Sequence, residues 1–81
     1  MKVKVKLFAI YQEVFDCSEL DLTLNRDTTV GDVLTSLIEE KPELEKWQEV
    51  TRFGVNLQFV EPNTRLSDGD ELVLIPPVSG G

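Results

Sequence analysis

Leu66-Ser67-Asp68-Gly69-Asp70-Glu71-Leu72-Val73-Leu74-Ile75-Pro76-Pro77 is the stretch whose reading decides the fold. Asp68-Gly69 is a strong turn signal, because glycine takes the left-handed conformation such a turn requires. The apolar run Leu72 to Ile75 then reads as a buried strand, ended by Pro76, which has no N–H to continue a ladder. Leu72 and Leu74 are predicted to face a helix, Val73 and Ile75 the other side of the sheet. With the equally apolar first strand, this last strand is predicted to occupy the middle of the sheet.

The chain then runs out as Pro76-Pro77-Val78-Ser79-Gly80-Gly81. Two prolines stiffen the root by fixing φ and favouring extended geometry. Two glycines leave the last backbone without side chains, narrow enough to enter a slot. Fully extended, this segment reaches roughly 20 Å at about 3.3–3.6 Å per residue. The organisation expected is a domain over 1–75 and an extended tail over 76–81, which would place the Gly81 α-carboxylate in another protein's site. Ser-Gly-Gly is equally what an inert flexible terminus looks like, so the rest of the chain has to decide.

Upstream, Val3, Val5, Leu7 and Ala9 alternate with Lys2, Lys4 and Lys6, a strand signature, with Phe8 and Ile10 extending the lysine face. Tyr11 to Cys17 reads as a connection. Leu20, Leu22 and Leu24 alternate with Glu19, Asp21 and Thr23 in a second strand that closes at Asn25-Arg26-Asp27. Thr29 and Asp32 resemble a capping box. Val30, Val33, Leu34, Leu37 and Ile38 form one apolar stripe at helical spacing. Gly31 in that first turn costs helix stability relative to alanine, which a close backbone approach would explain. Pro42 ends the helix and opens a second short one with Leu44 and Trp47 on one face. Arg52 to Val60 reads as two short strands around Asn56, and Glu61-Pro62-Asn63-Thr64 as a turn. The fold class is therefore α+β: a mixed sheet of about five strands, one main helix packed on one face, and a short second helix.

A single helix layer leaves the other sheet face open. That face is predicted to carry Phe8, Ile10, Val73 and Ile75, with Phe59, a patch of the size that marks a protein-binding site. The competing reading is that the Tyr11–Phe15 connection folds over part of it. The sticky face and the tail would together form one docking surface.

Composition narrows the chemistry. The 81 residues suit one domain, and 15 acids against 8 bases give a formal charge of −7. That balance argues against nucleic acid and anionic membrane as partners and is compatible with a basic protein partner. With no histidine and the single Cys17, metal sites and catalytic triads have almost no material. Asp68, Asp70 and Glu71 fit a turn better than a metal site, and Cys17, with no cation or helix start near it in sequence, reads as inert. One cysteine, no long apolar run and no signal-peptide pattern give a cytoplasmic expectation.

Lys4-Val5-Lys6-Leu7-Phe8-Ala9, the Thr29-Val30 helix start, Trp47 ahead of Val55-Asn56, and Leu66-Ser67-Asp68-Gly69-Asp70-Glu71 leading into Pro76-Pro77-Val78-Ser79-Gly80-Gly81 together resemble the small subunit of molybdopterin synthase, the MoaD family. The likeness covers essentially the whole chain, and the C-terminal part is its most specific element. It implies a ubiquitin-like β-grasp. It also implies a sulfur carrier of molybdenum cofactor biosynthesis, with no bound cofactor and no catalytic side chains of its own. In that family a ubiquitin-activating-type adenylyltransferase uses ATP to adenylate the terminal glycine, here Gly81. A sulfur donor then displaces AMP to leave a thiocarboxylate. The tail Pro76, Pro77, Val78, Ser79 and Gly80 enters the large subunit, where the sulfur passes to a pyranopterin precursor, and the assembly expected is a heterotetramer. Phe8, Phe59, Val73 and Ile75 are the partner-binding candidates. A carrier for another pathway (thiamin thiazole), a ubiquitin-like modifier joined to lysines through Gly81, and a plain interaction domain stay open as alternatives.

Overall fold

The computed structural model describes residues 1–77. In chain order these form β1 (Lys2–Lys6), α1 (Ile10–Phe15), β2 (Glu19–Thr23), α2 (Val30–Glu40), a 3-10 helix (Pro42–Val50), β3 (Arg52–Val55), β4 (Gln58–Val60) and β5 (Glu71–Ile75). The strands make one sheet in the order β2-β1-β5-β3-β4. β1 and β5 run parallel and the other neighbours antiparallel, so the sheet is mixed. This is the β-grasp layout, with β5 at the centre and β1 beside it as their apolar runs predict.

The core lies between the sheet and α2. Val3, Val5 and Leu7, Leu72 and Leu74, and Phe53 meet Val30, Val33, Leu34 and Leu37, with Leu44 of the 3-10 helix closing one end. The period-2 and period-3.6 stripes read from the sequence are the faces that lost water. α2 starts as its capping box predicts: the Asp32 N–H donates to Thr29 Oγ1 at 3.1 Å and the Thr29 N–H donates to Asp32 Oδ2 at 3.0 Å. Gly31 explains itself here, since its N–H donates to the Pro62 carbonyl at 2.9 Å and a Cβ would sit 2.9 Å from that same oxygen.

The first connection departs from the expectation. β1 stops at Lys6, Ala9 is exposed at φ 51, and Ile10–Phe15 forms the helix α1 where a plain connection was predicted. Tyr11 is fully buried and Ile10, Val14 and Phe15 pack against the core, so Ile10 leaves the lysine face and α1 does not cover the open face. The Tyr11 hydroxyl is hydrogen-bonded to Thr51 Oγ1, which also bonds the Trp47 carbonyl at 2.7 Å, tying α1 to the segment that enters β3. Burial pushes the Tyr11 hydroxyl pKa up, and the Thr51 bond offsets part of that rise.

Candidate functional site

Register defines the open face. Glu19 pairs with Lys6, Lys6 with Val73, Val73 with Gly54 and Gly54 with Phe59, so these five residues form one row across all five strands. Residues directly opposite share a face, and Leu72 and Leu74 are fully buried on the other one. Val73 and Ile75 therefore point away from α2 and are half-buried. Ile75 stands opposite Arg52 in the next register position. Phe59 is 77% exposed and Phe8, two residues beyond the Lys6–Val73 pair, is 50% exposed. Large apolar side chains left this open on a small domain mark a surface that another molecule can cover.

Gly54 was not singled out from sequence, yet it lies on the face. A Cβ there would lie 3.8 Å from both Ile75 Cδ1 and Val73 Cβ, an ordinary contact distance, so these two side chains flank the glycine on this face. A glycine inside an alternating strand is the signal that could have revealed it. A groove opens beside this row, lined by Arg52, Phe59, Val60, Ile75, Pro76 and Pro77. Pro76 and Pro77 thus leave β5 along its wall. Val78, Ser79, Gly80 and Gly81, named from sequence as tail and carrier residues, lie outside the described residues.

Charge is unevenly distributed. The open face holds Lys2, Lys4 and Lys6, which alternate with buried Val3 and Val5, and Arg52, half of the eight bases. Glu19 pairs with Lys6 at 3.2 Å and Lys4 at 3.9 Å. Between Val30 and Val50, by contrast, six acids stand against two bases. The net acidity thus collects on the helical side, and the open face is close to neutral.

The turn before β5 is held by its own acids. The Lys2 N–H donates to Asp68 Oδ1 at 2.6 Å, and the Ser67 N–H to Asp70 Oδ2 at 2.7 Å. Asn56 Nδ2 donates to Asp70 Oδ1 at 2.9 Å, and Gly69 sits at φ 86. Asp68 and Asp70 spend their oxygens on backbone and amide donors, which start β5 at a fixed place against β1 and β3. Cys17 is half-buried after α1.

Comparison with known proteins agrees with this geometry. The ThiS family profile matches residues 5–81. The molybdopterin synthase sulfur carrier subunit of Chlamydomonas reinhardtii is 35% identical over 83 residues, covering 100% of both chains. In the crystal structure of Haloferax volcanii small archaeal modifier protein 1, the fold superposes with a TM-score of 0.81 at 29% identity, over 95% of this chain and 98% of that one. A third likeness is to a chain in the complex of subunits 1 and 2 of the molybdopterin-converting factor from Helicobacter pylori, with a TM-score of 0.67, 30% identity and full coverage of both chains. With a family profile spanning nearly every residue and the same fold in its relatives, the chain belongs to the ThiS family, and its resemblance to molybdopterin synthase sulfur carriers holds across its whole length.

Proposed function

We propose that this protein is the sulfur-carrier subunit of a molybdopterin synthase, acting through the carboxylate of Gly81. The observation that carries the reading is the geometry at the end of β5. The central strand stops at Ile75, and Pro76-Pro77 leave it along a groove edged by Phe59. A docking partner that covers Phe8, Phe59, Val73 and Ile75 would receive segment 76–81 at the edge of its contact. The Chlamydomonas relative is a molybdopterin synthase sulfur carrier subunit, and the Helicobacter relative stands in a complex of subunits 1 and 2 of the molybdopterin-converting factor. By that analogy the large subunit is the partner.

A carboxylate resists attack because an oxide would have to leave. Its oxygen attacks the α-phosphorus of ATP on an activating enzyme and expels pyrophosphate. A hydrosulfide equivalent from the donor then adds to the acyl carbon, and AMP departs with the original oxygen. The product, –C(=O)S⁻, is a soft nucleophile that attacks a carbon of the pyranopterin precursor and displaces an oxygen substituent from it, so a C–S bond forms as a C–O bond breaks. Water then cleaves the acyl–sulfur bond, so the sulfur stays on the product and the carboxylate returns. General acids, bases and oxyanion donors come from the partners.

Incubation with the cognate adenylyltransferase, ATP and a sulfur source should raise the intact mass by the difference between sulfur and oxygen. A chain that is adenylated yet never gains that increment would defeat the reading. Deleting Gly81, or adding a residue after it, should abolish the gain with the circular dichroism spectrum unchanged. The archaeal relative named as a modifier favours one second reading, conjugation to lysines through Gly81. Isopeptide adducts at target lysines would report it, and transfer to a thiazole precursor in place of a pterin would report a thiamin carrier.

A further inference from the structure

We infer that the free edge of β2 is a second docking site, which adds an extended peptide with basic and apolar residues in strict alternation. Among the described residues β2 is an outer strand, paired only with β1. The Leu7 N–H donates to the Ser18 carbonyl at 2.9 Å, and the Leu24 N–H to the Met1 carbonyl at 2.8 Å. These two pairs lie in the same register as Val3–Leu22 and Val5–Leu20. Antiparallel ladders alternate bonded and non-bonded pairs, so Leu20 and Leu22 spend their backbone groups on β1. The N–H and C=O of Glu19, Asp21 and Thr23 therefore point outward, a row of open donors and acceptors of the kind that recruits another strand.

Side chains select the occupant. Glu19, Asp21 and Thr23 are exposed on the open face, while Leu20 and Leu22 stay half-buried because no strand lies beyond them. An incoming strand completes both layers when its basic residues fall beside Glu19 and Asp21 and its apolar ones beside Leu20 and Leu22. β1 already displays this complement from the inner side, as Lys2-Val3-Lys4-Val5-Lys6. A second copy of β2 is a poorer complement: Glu19–Thr23 holds no base to set beside Asp21 in any register, and two-fold antiparallel pairing centred on Asp21 sets Asp21 against Asp21, where like charges directly opposite are destabilising. Among the described residues Asp21 has no ion pair, whereas Glu19 is shared by Lys4 and Lys6. This edge lies across the sheet from β4 and the groove beside Ile75, so both can be occupied at once. It gives the protein a handle that leaves the C-terminal end unobstructed, and it does not depend on the sulfur-carrier reading.

The test titrates the full ¹⁵N-labelled chain with the capped peptide Lys-Val-Lys-Val-Lys-Leu, copied from residues 2–7, and reads amide shifts and hydrogen exchange. The expected result is perturbation and slowed exchange at Glu19, Asp21 and Thr23. The peptide with glutamate in place of each lysine should bind at least about tenfold more weakly, a difference of about 1.4 kcal/mol. Asp21→Lys should reverse that preference between the two peptides. Asp21→Pro deletes one outward N–H without costing a β1 bond, as edge positions allow, and should abolish binding in a folded chain. Equal binding of both peptides, shifts centred on Phe59 and Ile75, no shift at millimolar peptide, or self-association through β2 in sedimentation would each overturn the inference.

Discussion

Replacing Gly31 by alanine sets two effects of known size against each other. Alanine is favoured over glycine inside a helix by about 1 kcal/mol, a gain reduced in the first turn, where Gly31 sits. Against it stands a Cβ placed 2.9 Å from the Pro62 carbonyl oxygen. That oxygen is backbone, held by a turn in which Thr64 bonds Glu61 and Val30 bonds Thr64, so it cannot step aside alone. Relieving such overpacking costs about 1–3 kcal/mol, and stretching the Gly31 bond to the same oxygen adds about 0.5–1.5. The clash outweighs the propensity gain, and Gly31→Ala should lose roughly 1–3 kcal/mol. At this chain length each kcal/mol moves Tm by about 4–8 °C. Gly54→Ala is the internal comparison, because nothing lies nearer than 3.7 Å to its new Cβ. It should be neutral or gain about 0.5–1 kcal/mol from the lost glycine entropy. Urea and thermal unfolding followed by far-UV circular dichroism read both variants. A Gly31→Ala chain as stable as the parent, or both variants shifting the same way, would refute the reasoning.

Leu57 is 96% exposed at φ 72 in the turn joining β3 to β4, so Leu57→Gly should raise stability by about 1 kcal/mol, seen as a higher urea midpoint at unchanged slope. A lower midpoint would reveal a contact that Leu57 makes in the fold. Tyr11→Phe should cost about 1 kcal/mol by deleting the bond to Thr51. Because burial holds the folded Tyr11 pKa above its ordinary value of 10.0, the unfolded chain ionises first. The Tyr11 contribution is thus complete below that value and fades as pH rises through the folded one. The alkaline limb of the stability profile should be shallower in Tyr11→Phe, and an identical limb would exclude this origin. Phe59→Glu should change stability by no more than about 0.5 kcal/mol. Its binding to the large-subunit partner proposed above, read in calorimetry, should nonetheless fall about tenfold. Unfolding instead would make Phe59 part of the structural support of the sheet.

Periodicity made most of this fold legible, since the buried faces of β1, α2 and β5 are the stripes written in the sequence. α1 was hidden because six residues make under two turns, with no side-chain cap at Ala9, directly after an alternating run that masks the change of period. The signal was there in Ile10, Tyr11, Val14 and Phe15, whose spacing is helical. The open face was legible through Val73, Ile75 and Phe59. Gly54 and Arg52 were not, because their place depends on which strands become neighbours, and that is set by the chain as a whole. The spacing of Asp68 and Asp70 announced a turn but not its partners, Lys2 and Asn56, which lie far away in sequence.

The sheet order bears on how the proposed carrier would work. β5 is paired on both sides, parallel to β1 and antiparallel to β3, and the turn before it is anchored through Asp68 and Asp70. A segment drawn into a partner's site from the end of β5 loads a strand paired on both sides, whereas an edge strand pulled the same way would peel one bond at a time. With Pro76-Pro77 limiting the bending at its root, the reach of the segment in the proposed carrier would be set by the domain's position on the partner. Docking on Phe59 and Ile75 would then be the step that fixes where Gly81 arrives, and stability of the domain and accuracy of delivery would rest on the same central strand.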